Sequence, residues 1–517
     1  MTLEPRTSNL EQRVGRPAAR RMAVIGLDAG DPALIERWSD TGMLPAFARL
    51  RREGTWIKLT NRGEFPSMTV WPSIFTGTHL GKNGIYYPVQ IKVGKPKLEL
   101  VRPEHCGQRP FWGHLASGGK RSIVVDVPFT HPLRGLDGLQ ISNWGSYERY
   151  DAPRSEPPQE VHEVQRRFGR YPFGEELSRN APITHRDFGN VRRKLLSAVP
   201  VKGEMIRYLM RDQPWDFFMG VFAETHPAGH YFWDGHDCSS PRSVGAEFSS
   251  TLLDVYQRLD TEIGKIAASL DKRTNLLIVS GHGMGANHSG WHFVPEVLKR
   301  ITPASDDRSH AGKKSWLFQL RESIPRKWRD VVSHALPNKL RDYLRVHWAT
   351  SHIDWVNDFV FSLPTDAHGL IRVNLKGREP NGRVSSGVEY EELCRKVSEA
   401  LKNLIDPQTG MPVVEKVFFT DEIFPGPERD RLPDLIVNWR NGKKIDRVAS
   451  KELGTISGTL PDPRSGNHRA EGFALLYGPG VAKRKRSEGH LLDIAPTILS
   501  FYGHDIPETF DGRAWVL

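Results

Sequence analysis

"RMAVIGLDAGDP", residues 21–32, places an apolar run directly before a carboxylate. The run from Met22 to Leu27 has no polar alternation, as in a strand buried on both faces, and Asp28 ends it. The next segment, PALIERWSDTGML, predicts a helix with Pro32 in its first turn, where proline is well tolerated. A buried strand followed at once by a helix is typical of α/β proteins with a parallel sheet.

The same pattern recurs further along the chain. Buried strands are predicted in RSIVVDVPF, DFFMGVFAET and TNLLIVSGHG, and a long helix in SSTLLDVYQRLDTEIGKIAASL. Strands that alternate with helices predict an α/β fold: a mostly parallel central sheet with helices on both faces. Ligands of such sheets bind at the carboxyl ends of the strands, so the residues that follow each strand are the candidates for a site.

Four segments describe the predicted domain organisation. Residues 1–21 lack an apolar stretch of signal-peptide length and predict a disordered basic arm. Residues 22–297 and 366–517 are predicted to form the first and the C-terminal part of one α/β core. Between them, residues 298–365 are basic and weakly patterned, which predicts a smaller inserted region that is partly helical and a candidate cover for a substrate.

Composition narrows the classes of function. The 517 residues carry a formal charge of +11, and 38% are hydrophobic, as in a soluble globular protein. The basic residues are scattered and no nucleic-acid-binding motif is present, so most of this charge is interpreted as solvated surface. An anionic small-molecule substrate would also be compatible with it. No window has the roughly 18–20 apolar residues of a membrane helix. Three widely spaced cysteines argue against a disulfide scaffold and predict a reducing, cytoplasmic location.

"VFAETHPAGHYFWDGHD", residues 221–237, holds three histidines beside acids, directly after a predicted strand. His226 and His230 are spaced i, i+4 and would meet on one face of a helical turn, which suits a metal pair. His236 is interpreted as an ordinary surface histidine. A helix that begins with polar residues would explain one such group of polar side chains after a strand. Asp28 after the first strand and His282 after another favour a shared site.

Six segments in order resemble the alkaline phosphatase superfamily, and within it the type I phosphodiesterase/nucleotide pyrophosphatase group. The resemblance covers roughly residues 22–297 and 365–517. It rests on VIGLDAGDP, FPSMTVWPSIFTGTHLGKNGI, ETHPAGH, SGHGMG, GNHRAEGFALLYGPG and LLDIAPTILSFYGHDIPETFDGRAW. The resemblance implies hydrolysis of phosphoric esters with divalent metal ions. In such chemistry two metals can activate the nucleophile and hold the leaving oxygen, and imidazoles with carboxylates suit zinc.

The resemblance also assigns roles to residues. Ser67 matches the nucleophile, nine residues before Thr76, with Thr69 as the rival hydroxyl. The helix predicted after Ser67 would present N–H groups to an anion. The implied metal ligands are Asp28, Ser67, His226, His230, His282 and His468. Of these, His226 stands where the family has aspartate, so Glu224 competes with it.

Two further departures from the family pattern affect the metals and the phosphate. Gly281 replaces the aspartate expected before His282, which removes a charge from the second metal site. His288 and His292 are candidate substitutes for that ligand. Asn83 replaces a histidine after the nucleophile, and Asn83 and Trp71 are the candidate substrate contacts. We therefore expect one or two ions per chain, zinc or, alternatively, manganese.

Three functions are compatible with these residues. The first is a metal-dependent phosphodiesterase that acts through a covalent phospho-Ser intermediate. The second is phosphomonoester hydrolysis or phosphoryl transfer on the same scaffold. The third is a non-catalytic binding protein with a decayed second metal site, which Gly281 favours. A sulfatase is not favoured, because SMTVW lacks the proline and arginine of the sulfatase motif.

Overall fold

The computed structural model describes residues 20–61, 65–146, 152–172, 184–236, 245–302, 353–442, 444–460, 464–483 and 485–516. Most of the predicted arm at 1–21 and most of the predicted insertion at 298–365 therefore lie outside the described residues.

The described strands are β1 (Arg21–Leu27), β2 (Thr55–Thr60), β3 (Val89–Ile91), β4 (Leu98–Leu100), β5 (Ser122–Val125), β6 (Gly138–Ser142), β7 (Arg154–Glu156), β8 (Phe217–Phe222), β9 (Thr274–Ser280), β10 (Gly283–Ala286), β11 (Val360–Leu363), β12 (Gly369–Val373), β13 (Val414–Phe419), β14 (Leu435–Trp439), β15 (Arg447–Ser450), β16 (Gly454–Ser457), β17 (Gly466–Arg469), β18 (Glu471–Tyr477) and β19 (Lys485–Gly489). The described α-helices are α1 (Pro32–Asp40), α2 (Pro45–Glu53), α3 (Val70–Thr76), α4 (Leu80–Asn83), α5 (Phe111–Ser117), α6 (Glu160–Phe168), α7 (His185–Asp212), α8 (Thr225–His236), α9 (Thr251–Ser269), α10 (Val294–Ile301), α11 (Val388–Lys402), α12 (Thr420–Ile423) and α13 (Ile494–Phe501).

The main sheet has the strand order β19-β2-β18-β9-β1-β8-β5-β6-β7. Its centre is parallel, since β1 pairs in parallel with both β8 and β9, and β5 pairs in parallel with β6 and β8. β18 runs antiparallel to β9 and β2. The predicted α/β fold with a mostly parallel sheet is confirmed.

Both faces of the main sheet are buried, which explains why β1 shows no polar alternation. Ala23, Ile25 and Leu27 belong to the apolar core on one face. Met22 and Val24 point to the core on the other face. The first core contains side chains of α1, α2, α7 and α9, and the second contains side chains of α3, α5 and α13. Two-sided burial directs the polar residues of the strands to their ends.

The turn between β1 and α1 determines where Asp28 lies. Asp31 caps α1, because its side chain accepts a hydrogen bond from the Leu34 N–H. Pro32 occupies the first turn of the helix, as predicted. Asp28 is thereby left between the end of β1 and the cap of α1, at the carboxyl edge of the sheet.

A short antiparallel ribbon of β10 and β17 crosses this edge and pairs Met284 with His468. The ribbon brings two segments that are far apart in sequence into register. It places His468 near His282, because His282 directly precedes β10.

A second sheet, with the order β11-β12-β14-β13, has a core of its own together with α10 and α11. Described elements overlap both ends of the predicted insertion. Position 298 lies within α10, and β11 lies before position 365. The division at 298 and 365 stays a prediction.

In the described part of the chain, no helix combines the length and apolarity needed to cross a membrane. Cys106 and Cys394 are free thiols. Cys238 lies outside the described residues.

Candidate metal and phosphoester site

Three histidines form a cluster at the carboxyl edge of the main sheet. His226 and His230 lie on α8, and His468 lies on β17; one ring nitrogen of each falls within 4.8 Å of the others. The i, i+4 spacing of the α8 pair brings Nε2 of His226 to 2.9 Å from Nε2 of His230. The sequence therefore identified all three members of the cluster.

Hydrogen bonds define which nitrogen of each α8 histidine faces the cluster. Nδ1–H of His226 donates to Oδ2 of Asp28 at 2.8 Å, and Nδ1–H of His230 donates to the carbonyl of Gly466 at 2.9 Å. A carboxylate and a carbonyl can only accept, so in the neutral form of each ring the Nε2 atom carries a lone pair. Two lone pairs that face each other across 2.9 Å form a position that suits a shared cation.

Two imidazoles of the cluster, His230 and His468, have pKa values well below the usual range, so they are neutral at ordinary pH. Burial lowers the pKa of His230 well below its usual value, and the charge of Arg464 lowers it further. Burial, together with the neighbouring histidines, also lowers the pKa of His468. Neutral imidazole is the form that binds a metal, and a set of three suits zinc. The residues present therefore fit a divalent ion.

Asp28 lies against this cluster with both carboxylate oxygens engaged. His226 donates to Oδ2, and Nε1 of Trp71 donates to Oδ1 at 2.8 Å. Burial opposes ionisation, but the hydrogen bonds from His226 and Trp71 hold the pKa of Asp28 below its usual value. Trp71, a predicted substrate contact, is only 4% exposed, and its indole N–H donates to the Asp28 carboxylate.

His282 and Ser67 line one cavity next to the cluster, and His468 lines it as well. Both ring nitrogens of His282 are buried without a hydrogen-bond partner among the described residues. The rings of His282 and His468 lie 4.8 Å apart between centroids. Ser67 begins a short 3-10 turn that leads directly into α3. The predicted nucleophile and two predicted ligands therefore share one space.

Thr69, the rival nucleophile, has a different environment. It is fully buried, and its hydroxyl donates to the carbonyl of Pro66 at 2.8 Å. Ser67 is half-buried and borders the cavity. The geometry favours Ser67 as the attacking hydroxyl.

Gly281 lies against α3, in a space with no room for a side chain. A Cβ at this position would meet Cγ1 of Val70 at 2.4 Å and Cδ1 of Ile74 at 2.7 Å. The aspartate that the family has here is therefore excluded by packing as well as by sequence.

The candidate substitutes for this ligand do not replace it. Nδ1 of His288 lies 2.8 Å from the Ala286 carbonyl, and its Nε2 accepts from Arg469 at 2.7 Å. Both nitrogens of His288 are therefore occupied. His292 packs near Gly458, away from the three-histidine cluster.

Glu224, the competitor of His226, lies outside the three-histidine cluster. Its carboxyl group is 1% exposed, and neither oxygen has a hydrogen-bond partner in the described structure. Burial raises the pKa of Glu224 to about 8, and the charges of Asp126 and Asp28 act in the same direction. The carboxyl group is neutral at pH 7, which makes it a poorer ligand than His226.

Asn83, the other predicted substrate contact, has a structural role. Its side-chain amide donates to the Thr78 carbonyl at 2.9 Å, and its carbonyl accepts from the Ile85 N–H at 3.0 Å. It is fully buried and closes the turn after α4. The structure does not bring it to the cavity.

Several cavity residues were missed from the sequence. Nη1 of Arg464 lies 3.2 Å from Nε2 of His230 and 3.4 Å from Oδ2 of Asp366. The second sheet supplies another wall, which includes Asn438 and Trp439. Arg464 could have been noticed as a cation close to the late histidine segment. The wall from the second sheet has no local signal.

The sheet order and the cluster at its carboxyl edge define an α/β protein with a candidate metal site at the ends of its parallel strands. Residues 22–457 match the family described as Type I phosphodiesterase / nucleotide pyrophosphatase, and the chain belongs to this family. Membership places it among the phosphoesterase-type hydrolases. Among curated proteins, no sequence matches this chain.

Solved structures with a similar fold share little sequence with this chain. Wild-type alkaline phosphatase PafA is 14% identical, with a TM-score of 0.50 and coverage of 97% of this chain and 99% of that chain. Phosphonoacetate hydrolase from Sinorhizobium meliloti 1021, in complex with phosphonoformate, is 15% identical, with a TM-score of 0.49 and coverage of 94% and 95%. Murine ectonucleotide pyrophosphatase/phosphodiesterase 5, inactive and in complex with AMP, is 14% identical, with a TM-score of 0.48 and coverage of 96% and 97%.

Proposed function

We propose that this protein hydrolyses phosphoric diesters, with Ser67 as the nucleophile and a divalent metal ion, preferably zinc, held by the three-histidine cluster. The observation that carries the proposal is that Ser67, His282 and His468 border one cavity beside the cluster. The metal would supply positive charge to the phosphoryl oxygens and lower the energy of the developing oxyanion.

The chain's own residues supply the remaining functions. The Ser67 oxygen attacks phosphorus, and one ester group leaves as an alcohol that carries away the hydroxyl proton of Ser67. The phosphoryl group, which still bears the second ester substituent, stays on Ser67 until water releases it as a monoester. Arg464, beside the cluster, provides a fixed positive charge for the non-bridging oxygens.

The cavity wall supports a diester over a monoester. Asn438 and Trp439 of β14 extend the cavity beyond the histidines and offer amide and aromatic contacts. A second ester substituent would lie against this wall, whereas a monoester would leave it unused. Phosphomonoester hydrolysis and phosphoryl transfer are the alternatives on the same site.

The test compares two hydroxyl deletions. Ser67→Ala should lower turnover of bis(p-nitrophenyl) phosphate by several orders of magnitude, as loss of a covalent nucleophile generally does. Thr69→Val is the matched control. It removes a buried hydroxyl, keeps a side chain of similar size, and should retain most of the activity. Mass spectrometry of rapidly quenched protein should find the p-nitrophenyl phosphoryl adduct on the Ser67 peptide.

Three results would count against the proposal. An inactive Thr69→Val with an active Ser67→Ala would move the nucleophile to Thr69. Faster turnover of p-nitrophenyl phosphate than of the diester would favour a monoesterase. Tight binding of phosphoesters with no turnover in the presence of zinc or manganese would favour the non-catalytic binding protein.

A further inference from the structure

Each oxygen of the Asp28 carboxylate already accepts a hydrogen bond. His226 donates to one oxygen at 2.8 Å, and Trp71 donates to the other at 2.8 Å. Asp28 is 5% exposed, so water is not available to replace either partner. A metal ion on the remaining lone pair of either oxygen would lie beside one of these buried N–H groups and compete with it for the carboxylate charge.

Position 281, where a second metal-binding side chain is expected, contributes no ligand. Gly281 has no side chain, and Val70 of α3 fills the space that a Cβ would need. The side-chain N–H of Asn61 instead donates a hydrogen bond to the Gly281 carbonyl at 2.6 Å. Packing of α3 against this turn has thus replaced a ligand position by an apolar contact.

The remaining donors beside the cluster are neutral. Within the described part of the chain His282 has two unpartnered ring nitrogens, and Ser67 offers a hydroxyl. The two glutamates of the cavity wall, Glu415 and Glu471, interact with the charge of Arg469 and lie outside the three-histidine cluster. A second dication would lie at about 3.5–4 Å from the first, as in two-metal sites. Without a free carboxylate between them, their repulsion in a buried site would not be offset.

We infer that this protein holds one divalent ion, not two, and that Asp28 is a positioning residue for it. This inference rests on the proposed metal site. Asp28 holds the His226 ring so that Nε2 faces the cluster and makes that nitrogen a stronger donor, as carboxylates behind metal-bound histidines do. His282 stays free of metal and faces the cavity that Ser67 borders.

The inference predicts separate effects on stoichiometry and affinity. The unaltered protein should bind one zinc ion per chain. Asp28→Asn should still bind one ion, but about 10–100-fold more weakly, because the amide is a poorer hydrogen-bond acceptor for His226. His282→Ala should change neither stoichiometry nor affinity. Glu224→Gln is the matched control, since it makes the same chemical change in another buried carboxyl group nearby, and its affinity should match the unaltered protein.

The measurement uses the full chain. Metal-free protein is titrated with zinc against a chromophoric chelator, and bound metal is counted by elemental analysis. Cobalt(II) titration adds a spectroscopic signature, because its visible bands report the ligand set. The bands should saturate at one equivalent and be unchanged in His282→Ala.

Each outcome has a definite meaning. Two tightly bound ions, reduced to one in Asp28→Asn or His282→Ala, would overturn the inference and leave the proposed function intact. Absence of any bound ion in active protein would overturn the proposed metal site itself. Equal weakening in Glu224→Gln and Asp28→Asn would refute the specific role of Asp28. If Asp28→Asn fails to fold, the stoichiometry of the unaltered protein and of His282→Ala still decides the number of ions.

Discussion

Adding one methyl group at Gly281 should destabilise this protein, although glycine-to-alanine changes often stabilise. The φ angle of Gly281 is not in the left-handed region, so alanine would reduce the entropy of the unfolded chain by about 0.4–1 kcal/mol. Against this gain, the Cβ would lie 2.4 Å from Cγ1 of Val70, and overpacking of a core costs about 1–3 kcal/mol. We therefore expect a net loss of about 1–2 kcal/mol.

Val70→Ala provides the control, because it removes the methyl group that Gly281→Ala would meet. Val70 is 2% exposed, so Val70→Ala alone should also destabilise, by about 1–3 kcal/mol. In the Val70→Ala background the added methyl should be neutral or stabilising. Cδ1 of Ile74, at 2.7 Å, is the end of a flexible side chain and can rotate away.

Thermal unfolding of the four proteins measures this cycle, with each kcal/mol worth at most about 2–4 °C in a chain of this size. The sign of the methyl effect should reverse between the two backgrounds, with a coupling energy of about 1–3 kcal/mol. An equal loss in both backgrounds would refute the steric explanation. Stabilisation by Gly281→Ala in the unaltered background would show that the turn has room for the family aspartate.

Three further predictions concern burial of charge and metal. Burial opposes ionisation of Asp434, but Arg378 holds the pKa of this carboxyl group well below its usual value. The carboxylate therefore contributes stability that is fully present above about pH 4 and is lost as the pH falls through the folded-state pKa. Asp434→Asn should cost about 3–5 kcal/mol at pH 7 by urea unfolding, and less at pH 3; an equal cost at both pH values would contradict this. Lys202→Met should cost a similar amount, because it leaves the fully buried Asp126 without its ammonium partner, and a change below about 1 kcal/mol would show that backbone N–H groups suffice. Zinc at a hundred times its dissociation constant should stabilise the protein by about 2.7 kcal/mol, an effect that His230→Ala should abolish in thermal unfolding.

The strands and two of the three cluster histidines, His226 and His230, could be predicted because their signals are local. An apolar run such as Met22–Leu27 has to be buried on both sides wherever it lies, and the structure places it at the centre of the sheet. His226 and His230 are neighbours on any helix, whatever the rest of the chain does. His468 could be added only through the resemblance of its segment to a family.

The resemblance was less informative about Asp28, Gly281 and Asn83. It implied that Asp28 binds the second metal, but it gave no sign that Trp71 and His226 each donate a hydrogen bond to this carboxylate. It marked Gly281 as a missing ligand without showing that Val70 fills the space. It offered Asn83 as a substrate contact, while the fold uses that amide to close a turn.

Periodicity and spacing in the sequence were enough to determine the class of fold, the order of the main strands along the chain and the i, i+4 histidine pair, because these depend on interactions between residues close in the chain. The hydrogen bond from His226 to Asp28 joins residues 198 positions apart, and the cavity wall at Trp439 comes from a different sheet. Such contacts exist only after two-sided burial of the sheet has set the strand order in space and brought the loop ends together. Which carboxylate contacts the histidine cluster, and which residues line the cavity, were therefore decided by tertiary packing.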